Sequence, residues 1–346
     1  MATVWFFLIA LMLTVYVVLD GFDLGVGLTM LLRPGTEDER RHALSAIGPV
    51  WDANEVWLIA AGGVLVFTFP SVYASAFSGF YLPLMFVLWL LIFRGVSIEF
   101  GSHLKHPLWR RFWDATFAVS SSALTLILGI ALGNLIRGVP LDQSGYFQMT
   151  LFENFRTGPR PGAIDWYTLL VGLFTSTALG AHGALYLGWR TEGSVRARSS
   201  NLARALCGAA IVLMFVATLA TAEVQPILYE RLGQRPWAWP LSLGAAFGVI
   251  FALWQLRRGR HHAAFVGWGI FLAGLLTSTA AGLYPDILRS TFSSTWNLTV
   301  ANAAAGSTGL KLGLWWWIPA MVLGSGYFWY LYRSLRDHRI EDQSYH

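Results

Sequence analysis

The chain has 346 residues, of which 55% are apolar and only 12% are charged, against roughly 25% charged in an average soluble domain. That shortage of charge excludes an ordinary soluble enzyme, because the apolar residues fall in runs of about twenty or more separated by short arginine-bearing segments. The net charge of +5 does not indicate nucleic acid either, since the basic residues flank apolar runs, where they orient a chain in a bilayer.

A spanning helix needs about 20 mostly apolar residues, because a backbone group left unsatisfied in hydrocarbon costs several kcal/mol. In chain order nine stretches qualify, at about residues 4–32, 50–69, 74–100, 113–136, 164–189, 202–224, 237–256, 263–284 and 310–332. The expected fold is therefore an all-α polytopic membrane protein, a single integral membrane domain over 1–346, with four helices in 1–136 and five in 164–332. The first stretch reads as a span and not as a signal peptide: it lacks a basic leading segment, is too long, and carries carboxylates before its end.

Nine spans place the termini on opposite sides, and the positive-inside rule chooses between the two orientations. Sixteen of the 24 Lys and Arg residues fall in one set of alternate segments, among them Arg33, Arg40, Arg41, Lys105, Arg110, Arg111, Arg196, Arg336 and Arg339. Seven fall in the other set, and Arg94 lies within a span. The N-terminus is predicted outside and the C-terminus cytoplasmic. The external connections 137–163 and 285–309 are the longest, and neither is large enough to fold as a domain.

Glycines spaced by four, such as Gly21 and Gly25 or Gly129 and Gly133, suit close helix packing. Many of the 17 tryptophans, including Trp109, Trp113, Trp166, Trp189, Trp237, Trp239 and Trp315 to Trp317, fall near predicted interfaces and read as anchors. The single cysteine, Cys207, lies in an apolar run and reads as a small core residue.

The informative residues are ionisable groups at membrane depth, each costing a few kcal/mol to insert and each a functional candidate by default. Asp20 and Asp23 share one helical face of the first span, within Leu19-Asp20-Gly21-Phe22-Asp23-Leu24-Gly25. Asp52 and Glu55 open the second span, again three apart, in Trp51-Asp52-Ala53-Asn54-Glu55-Val56-Trp57. Arg94 and Glu99 end the third, and Asp114 begins the fourth. Under the orientation above, all of them lie toward the inner side. Desolvation and like-charged neighbours favour the protonated form of a carboxyl, so such a group of acids can take up and release protons. The competing reading for Asp52 and Glu55 is N-capping of their helix; for Asp114 it is capping or an ion pair near Arg110 and Arg111; for Arg94 it is neutralisation of a buried acid.

Of the eight histidines only His182 lies inside a span, as a hydrogen-bonded core residue would, and one intramembrane histidine does not supply a bis-histidine haem site. No Walker motif, nucleophile elbow or metal-ligand spacing is present.

The segments Asp20 to Gly27 and Trp51 to Leu58, together with Ala76-Phe77-Ser78-Gly79-Phe80-Tyr81 and Phe93-Arg94, resemble subunit II of the cytochrome bd-type quinol oxidases, including the cyanide-insensitive branch. The first two motifs are specific, and the remaining helices match mainly in hydropathy. The resemblance implies a haem-free subunit beside a subunit I that carries haem b, haem d and the quinol-oxidation loop, in the bacterial cytoplasmic (inner) membrane. It implies roles in assembly and in conducting cytoplasmic protons toward the oxygen-reducing haem, with quinol and oxygen as substrates of the complex. It assigns Asp23, Asp52 and Glu99 to the proton path, with Asp20 and Glu55 alongside and Arg94, Trp51, Asn54, Trp57 and His103 in support. Some members carry Asp in place of Glu99, Gln in place of Glu55 and Lys in place of His103. The resemblance also allows a quinone between the helices and small single-helix accessory subunits. The rival reading of another class is a proton-coupled secondary transporter, in which a glycine-interrupted helix with acids at depth also marks the site.

The orientation is testable by fusing reporters to the C-terminus: green fluorescent protein is expected to fluoresce there and alkaline phosphatase to stay inactive. The opposite pattern contradicts it.

Overall fold

Satisfying every backbone group within its own segment makes helices the answer wherever the chain is apolar. The computed structural model describes residues 1–104 and 106–336, the side chains of 335 and 336 excepted; Lys105, His338, Arg339 and His346 lie outside the described residues. The helices are α1 (Ala2–Leu32), α2 (Glu37–Ile47), α3 (Trp51–Thr68), α4 (Pro70–Gly79), α5 (Tyr81–Gly101), α6 (Pro107–Arg137), α7 (Trp166–Arg190), α8 (Gly193–Val224), α9 (Pro226–Gly233), α10 (Trp239–Arg257), α11 (His261–Leu283) and α12 (Ser307–Arg336). Two short antiparallel strands, β1 (Asp286–Leu288) and β2 (Leu298–Thr299), precede α12.

Each of the nine expected stretches lies on helix. Among the described residues seven helices are individually long and apolar enough to cross a membrane: α1, α5, α6, α7, α8, α10 with its preceding turn, and α11. The pair α2 and α3 qualifies only when taken together, across a bend of 50°. In α12 the run Trp315-Trp316-Trp317 and the nearby glycines dilute the aliphatic content. This is an all-α polytopic membrane protein.

Two expectations need correction. The stretch 74–100 is not one helix: α4 ends at Gly79 and α5 begins at Tyr81. Pro83, in the first turn of α5, has no N–H to bond back to the Gly79 carbonyl, so the ladder restarts there. The segment between the first two spans also contains the helix α2. Its capping box, Thr36 accepting from the Glu39 N–H while the Glu39 carboxylate accepts from the Thr36 N–H, is visible in sequence. Ion pairs from Arg110 to Glu37 (2.5 Å), Arg40 to Asp114 (2.6 Å) and Arg198 to Glu39 (2.5 Å) dock α2 against α6 and α8.

Helix α1 runs through the middle of the molecule, and its glycines decide how close its neighbours come. A Cβ at Gly25 would stand 2.0 Å from the Leu179 carbonyl oxygen of α7, and one at Gly183 would stand 2.2 Å from the Gly25 carbonyl carbon. Gly27 faces α6, where a Cβ would stand 2.4 Å from the Ser121 Cβ. Gly129 and Gly133 of α6 also lie close to α7, where a Cβ would stand 2.6 Å from the Thr175 Cβ and 2.9 Å from the Thr168 Cα. The motif of small residues therefore brings three helix backbones together. Cys207 is buried in the cluster formed by α7, α8, α10 and α11, and Trp268 in the same cluster donates its indole N–H to the Ala178 carbonyl (2.9 Å). Trp237, Trp239, Trp315 and Trp316 are exposed, as anchors are.

On the face that carries the N-terminus, the two long connections pack on each other. Val139 and Arg289 are joined through their backbones (2.9 Å), and the Ala305 N–H reaches the Thr68 carbonyl (2.8 Å). Arg137, at the end of α6, forms a buried ion pair with Asp165, which itself caps α7 through Thr168.

Substituting Ala for Gly25 is expected to cost at least the 1–3 kcal/mol typical of overpacking, because backbone and not a flexible side chain blocks the new methyl. Gly62→Ala, where nothing lies within 4 Å, is the neutral control. Thermal unfolding in detergent compares the two.

Candidate functional site

The ionisable residues of α1, α3 and α5 converge on one guanidinium. Arg94 is completely buried and meets Asp20 in a two-pronged contact, Nη2 to Oδ1 at 2.5 Å and Nη1 to Oδ2 at 3.1 Å. The same guanidinium lies 4.0 Å from Asp23 and 3.6 Å from Glu55. Helical spacing explains the convergence: Asp20 and Asp23 share a face of α1, and Glu55 lies one turn into α3 beside it. With all three carboxyls ionised the group would carry two uncompensated negative charges, a costly arrangement in a low-dielectric interior.

A hydrogen-bonded layer surrounds Asp23. Asn54 Nδ2 donates to Asp23 Oδ2 (2.8 Å) and lies 3.3 Å from the Leu19 carbonyl, while Tyr332 of α12 donates to Asn54 Oδ1 (3.0 Å). Asp23 Oδ1 and Arg94 Nε are buried without a hydrogen-bond partner among the described residues, and the buried Tyr16 hydroxyl lies beside Asp20. The cluster is closed except at Glu55, whose side chain is 18% exposed. Ser97 donates to the Arg94 carbonyl (2.7 Å), bracing the turn of α5 that carries the guanidinium.

The remaining candidates are not brought into this cluster. Asp52 is exposed at the start of α3, and Glu99 and His103 are exposed at the end of α5, where His103 Nδ1 meets the Glu99 carbonyl (2.8 Å). Trp51 lies against Gly95, and Trp57 meets Phe328 of α12 with ring centroids 5.6 Å apart. Val50 is the N-cap of α3 and no side-chain cap bond forms there, but Asp52 lies in the first turn, where it meets the positive end of the helix dipole; Glu55 lies beyond that turn. Asp114 is likewise no cap. Helix α6 starts at Pro107, one and a half turns earlier than the apolar run suggests, and Asp114 pairs with Arg40 (2.6 Å), while Arg110 serves Glu37. Arg94 does neutralise a buried acid, Asp20.

His182 donates Nε2–H to the Val18 carbonyl (3.0 Å) and stacks on Phe265 at 4.6 Å, its ring nearly parallel. Its Nε2–H is committed to a backbone carbonyl and aromatic rings cover its face, as in a hydrogen-bonded core histidine. Among the described residues no group of three or more His, Cys, Asp or Glu is arranged to hold a metal ion. A cavity of about 450 Å³ opens between α6, α7, α8, α10 and α11, lined by Phe174, Met214, Val249 and Phe271 among others. The hydroxyls of Thr221, Tyr229, Ser278 and Thr279 on its wall donate to backbone carbonyls.

A helical membrane domain built around a fully buried arginine and its carboxyls belongs to the class of polytopic proteins that keep ionisable groups at depth for function. The family described as cytochrome bd terminal oxidase subunit II matches residues 1–335, and the chain belongs to that family. It is 30% identical over 341 residues to cytochrome bd ubiquinol oxidase subunit 2 of Bacillus subtilis (strain 168), covering 97% of this chain and 96% of that one. It is 28% identical over 368 residues to cytochrome bd-I ubiquinol oxidase subunit 2 of Escherichia coli (strain K12), covering 98% and 96%. A chain in the structure of bd oxidase from Geobacillus thermodenitrificans shares the fold, with a TM-score of 0.75 at 17% identity and coverage of 97% and 98%. The protein is thus a subunit of a quinol oxidase complex, an oxidoreductase with a partner subunit I, and not a secondary transporter.

Two residues beside the cluster escape sequence reasoning. Tyr332 lies 278 residues from Asn54, beyond any spacing rule. Tyr16 is one turn before Asp20, but a tyrosine in an apolar helix carries no signal of its own.

Arg94→Leu would leave the acids without their cation, so a loss of about 3–5 kcal/mol is expected, as for other broken buried ion pairs. Adding Asp20→Asn is expected to recover part of it. The yield and thermal stability of the assembled complex measure both.

Proposed function

We propose that this chain is the haem-free subunit II of a bd-type quinol:oxygen oxidoreductase in the bacterial cytoplasmic membrane, where it supports assembly of subunit I and conducts cytoplasmic protons toward its oxygen-reducing site. The observation that carries the reading is the convergence of Asp20, Asp23 and Glu55 on the buried Arg94, in a cluster open only through Glu55. A group of three acids around one cation changes its charge most readily by gaining or losing a proton.

In this reading the chain is oriented with its N-terminus outside, so the ends of α1 and α5 and the starts of α3 and α6 face the cytoplasm. Asp52 and Glu99 are the entry acids, with His103 beside Glu99. Glu55, one turn above Asp52 on α3, passes the proton inward. Asp20 is held by the two-pronged guanidinium, and Asp23 is the carrier, because its Oδ1 has no hydrogen-bond partner among the described residues. The haems of subunit I supply the oxygen chemistry; this chain's own residues hold and move protons. The apolar cavity between α6, α8 and α10 would hold the tail of a quinone or lipid.

Asp52→Asn in the intact complex is expected to leave the haem spectra normal and to reduce turnover together with proton uptake from the cytoplasmic side. Full turnover with undiminished uptake overturns the proton role of Asp52.

A further inference from the structure

The contact between α12 and the acid cluster has a chemical sense of its own. Asn54 is completely buried, and its amide faces three groups: the Leu19 carbonyl, the Asp23 carboxyl and the Tyr332 hydroxyl. A backbone carbonyl only accepts, so the amide nitrogen must lie on the side of Leu19 and Asp23. The amide oxygen then lies on the side of Tyr332, where the phenol donates to it at 3.0 Å. A flipped amide would present its oxygen to the Leu19 carbonyl and the Asp23 carboxylate, so those two acceptors set the orientation in which Asn54 donates to Asp23. The phenol anchors the amide in that place from its oxygen side. Phe328 of α12 against Trp57 of α3 is a second contact between the two helices at this height, and Tyr332 stacks on Phe328 one turn along α12 at 6.5 Å.

We infer that Tyr332 is a positioning residue for proton exchange at Asp23: through Asn54 it fixes a hydrogen-bond donor on Asp23 Oδ2 and leaves Oδ1 as the oxygen that takes the proton. The inference rests on Asp23 being a proton carrier. The charged and titratable groups that bear on Asp23 are Asp20 from α1, Glu55 from α3, Arg94 from α5, Tyr186 from α7 and Tyr332 itself from α12. Of these, Tyr332 alone acts through the amide, so its hydroxyl can be removed without adding or deleting a charge.

A donor on a carboxylate favours its ionised form. Loosening it lets Asp23 keep its proton to higher pH, so the alkaline limb of the turnover profile should move upward. The loss of one neutral hydrogen bond corresponds to about half to one pH unit. The experiment uses the intact complex and three variants: Tyr332→Phe, Asn54→Leu and Asp23→Asn. In Tyr332→Phe the haem content is expected to match the parent while the alkaline limb shifts by that amount. Asn54→Leu is expected to shift it in the same direction, and combining the two to add nothing, since they remove one interaction from its two ends. If Asp23→Asn impairs turnover but the Tyr332→Phe profile coincides with the parent, the positioning role is overturned and the pathway stands. If Asp23→Asn retains full turnover with an unchanged profile, the pathway itself falls and the inference with it. Should Tyr332→Phe assemble poorly, Asn54→Leu decides: Tyr332 acts only through Asn54, so an unshifted profile there overturns the inference.

Discussion

One guanidinium sets the terms for the rest of this molecule. Arg94 lies inside an apolar, membrane-spanning helix, and a lone cation there would be several kcal/mol out of balance. Its partners must therefore come from other helices, at the same depth and with the right reach. Asp20 supplies the two-pronged contact, and Asp23 and Glu55 complete the ring. Because these acids belong to α1 and α3, the ion cluster fixes the relative heights of α1, α3 and α5. The same excess of acid over base makes the cluster responsive to protons.

The packing of α1 follows from that constraint. Its Gly-Phe-Asp-Leu-Gly-Val-Gly segment turns the acids toward α3 and α5, while the glycines on its other faces admit the backbones of α7 and α6. Charge on one side and close backbone contact on the other serve one purpose, which is to hold a buried polar group in place. A second buried pair, Arg137 with Asp165, lies at the opposite end of α6. There it ties the long connections into an ordered cap, with Asn134 and Gln225 satisfying the surrounding carbonyls. The two pairs differ in consequence: Arg137 meets one acid and is balanced, whereas Arg94 meets three and is not.

Much of this was legible beforehand, and the reasons are physical. Hydropathy locates the helices because an apolar run in lipid has few alternatives to a helix. It misplaced the start of α6, whose first turns carry Trp109, Arg110 and Arg111 and belong to the interface, and it ran through the break at Phe80 because Gly79 and Phe80 are as apolar as their neighbours. Asp20, Asp23, Glu55 and Arg94 announce themselves by being charged where charge is expensive. Asp52 and Glu99 have the same composition signal, yet they stay at the surface of this chain, since a residue within two turns of a helix end can sit in the interface or inside it depending on how the helices stack. Tyr332 and Tyr16 gave no signal: aromatic residues are common in membrane helices, and nothing local distinguishes a phenol with a buried partner from one facing lipid.

By itself the sequence determined that this chain is a bundle of membrane-crossing helices, which glycines allow close contact, and that a few acids and one arginine sit at depth. Those follow from the cost of placing backbone and charge in hydrocarbon, which depends on residue type and local spacing alone. Only the tertiary structure decided which acid pairs with the arginine, that Asn54 donates to Asp23, and that the last helix returns to place a phenol on that amide. These depend on how helices distant in sequence are rotated and set in depth against each other, and a hydrogen bond needs that geometry to within a few tenths of an ångström.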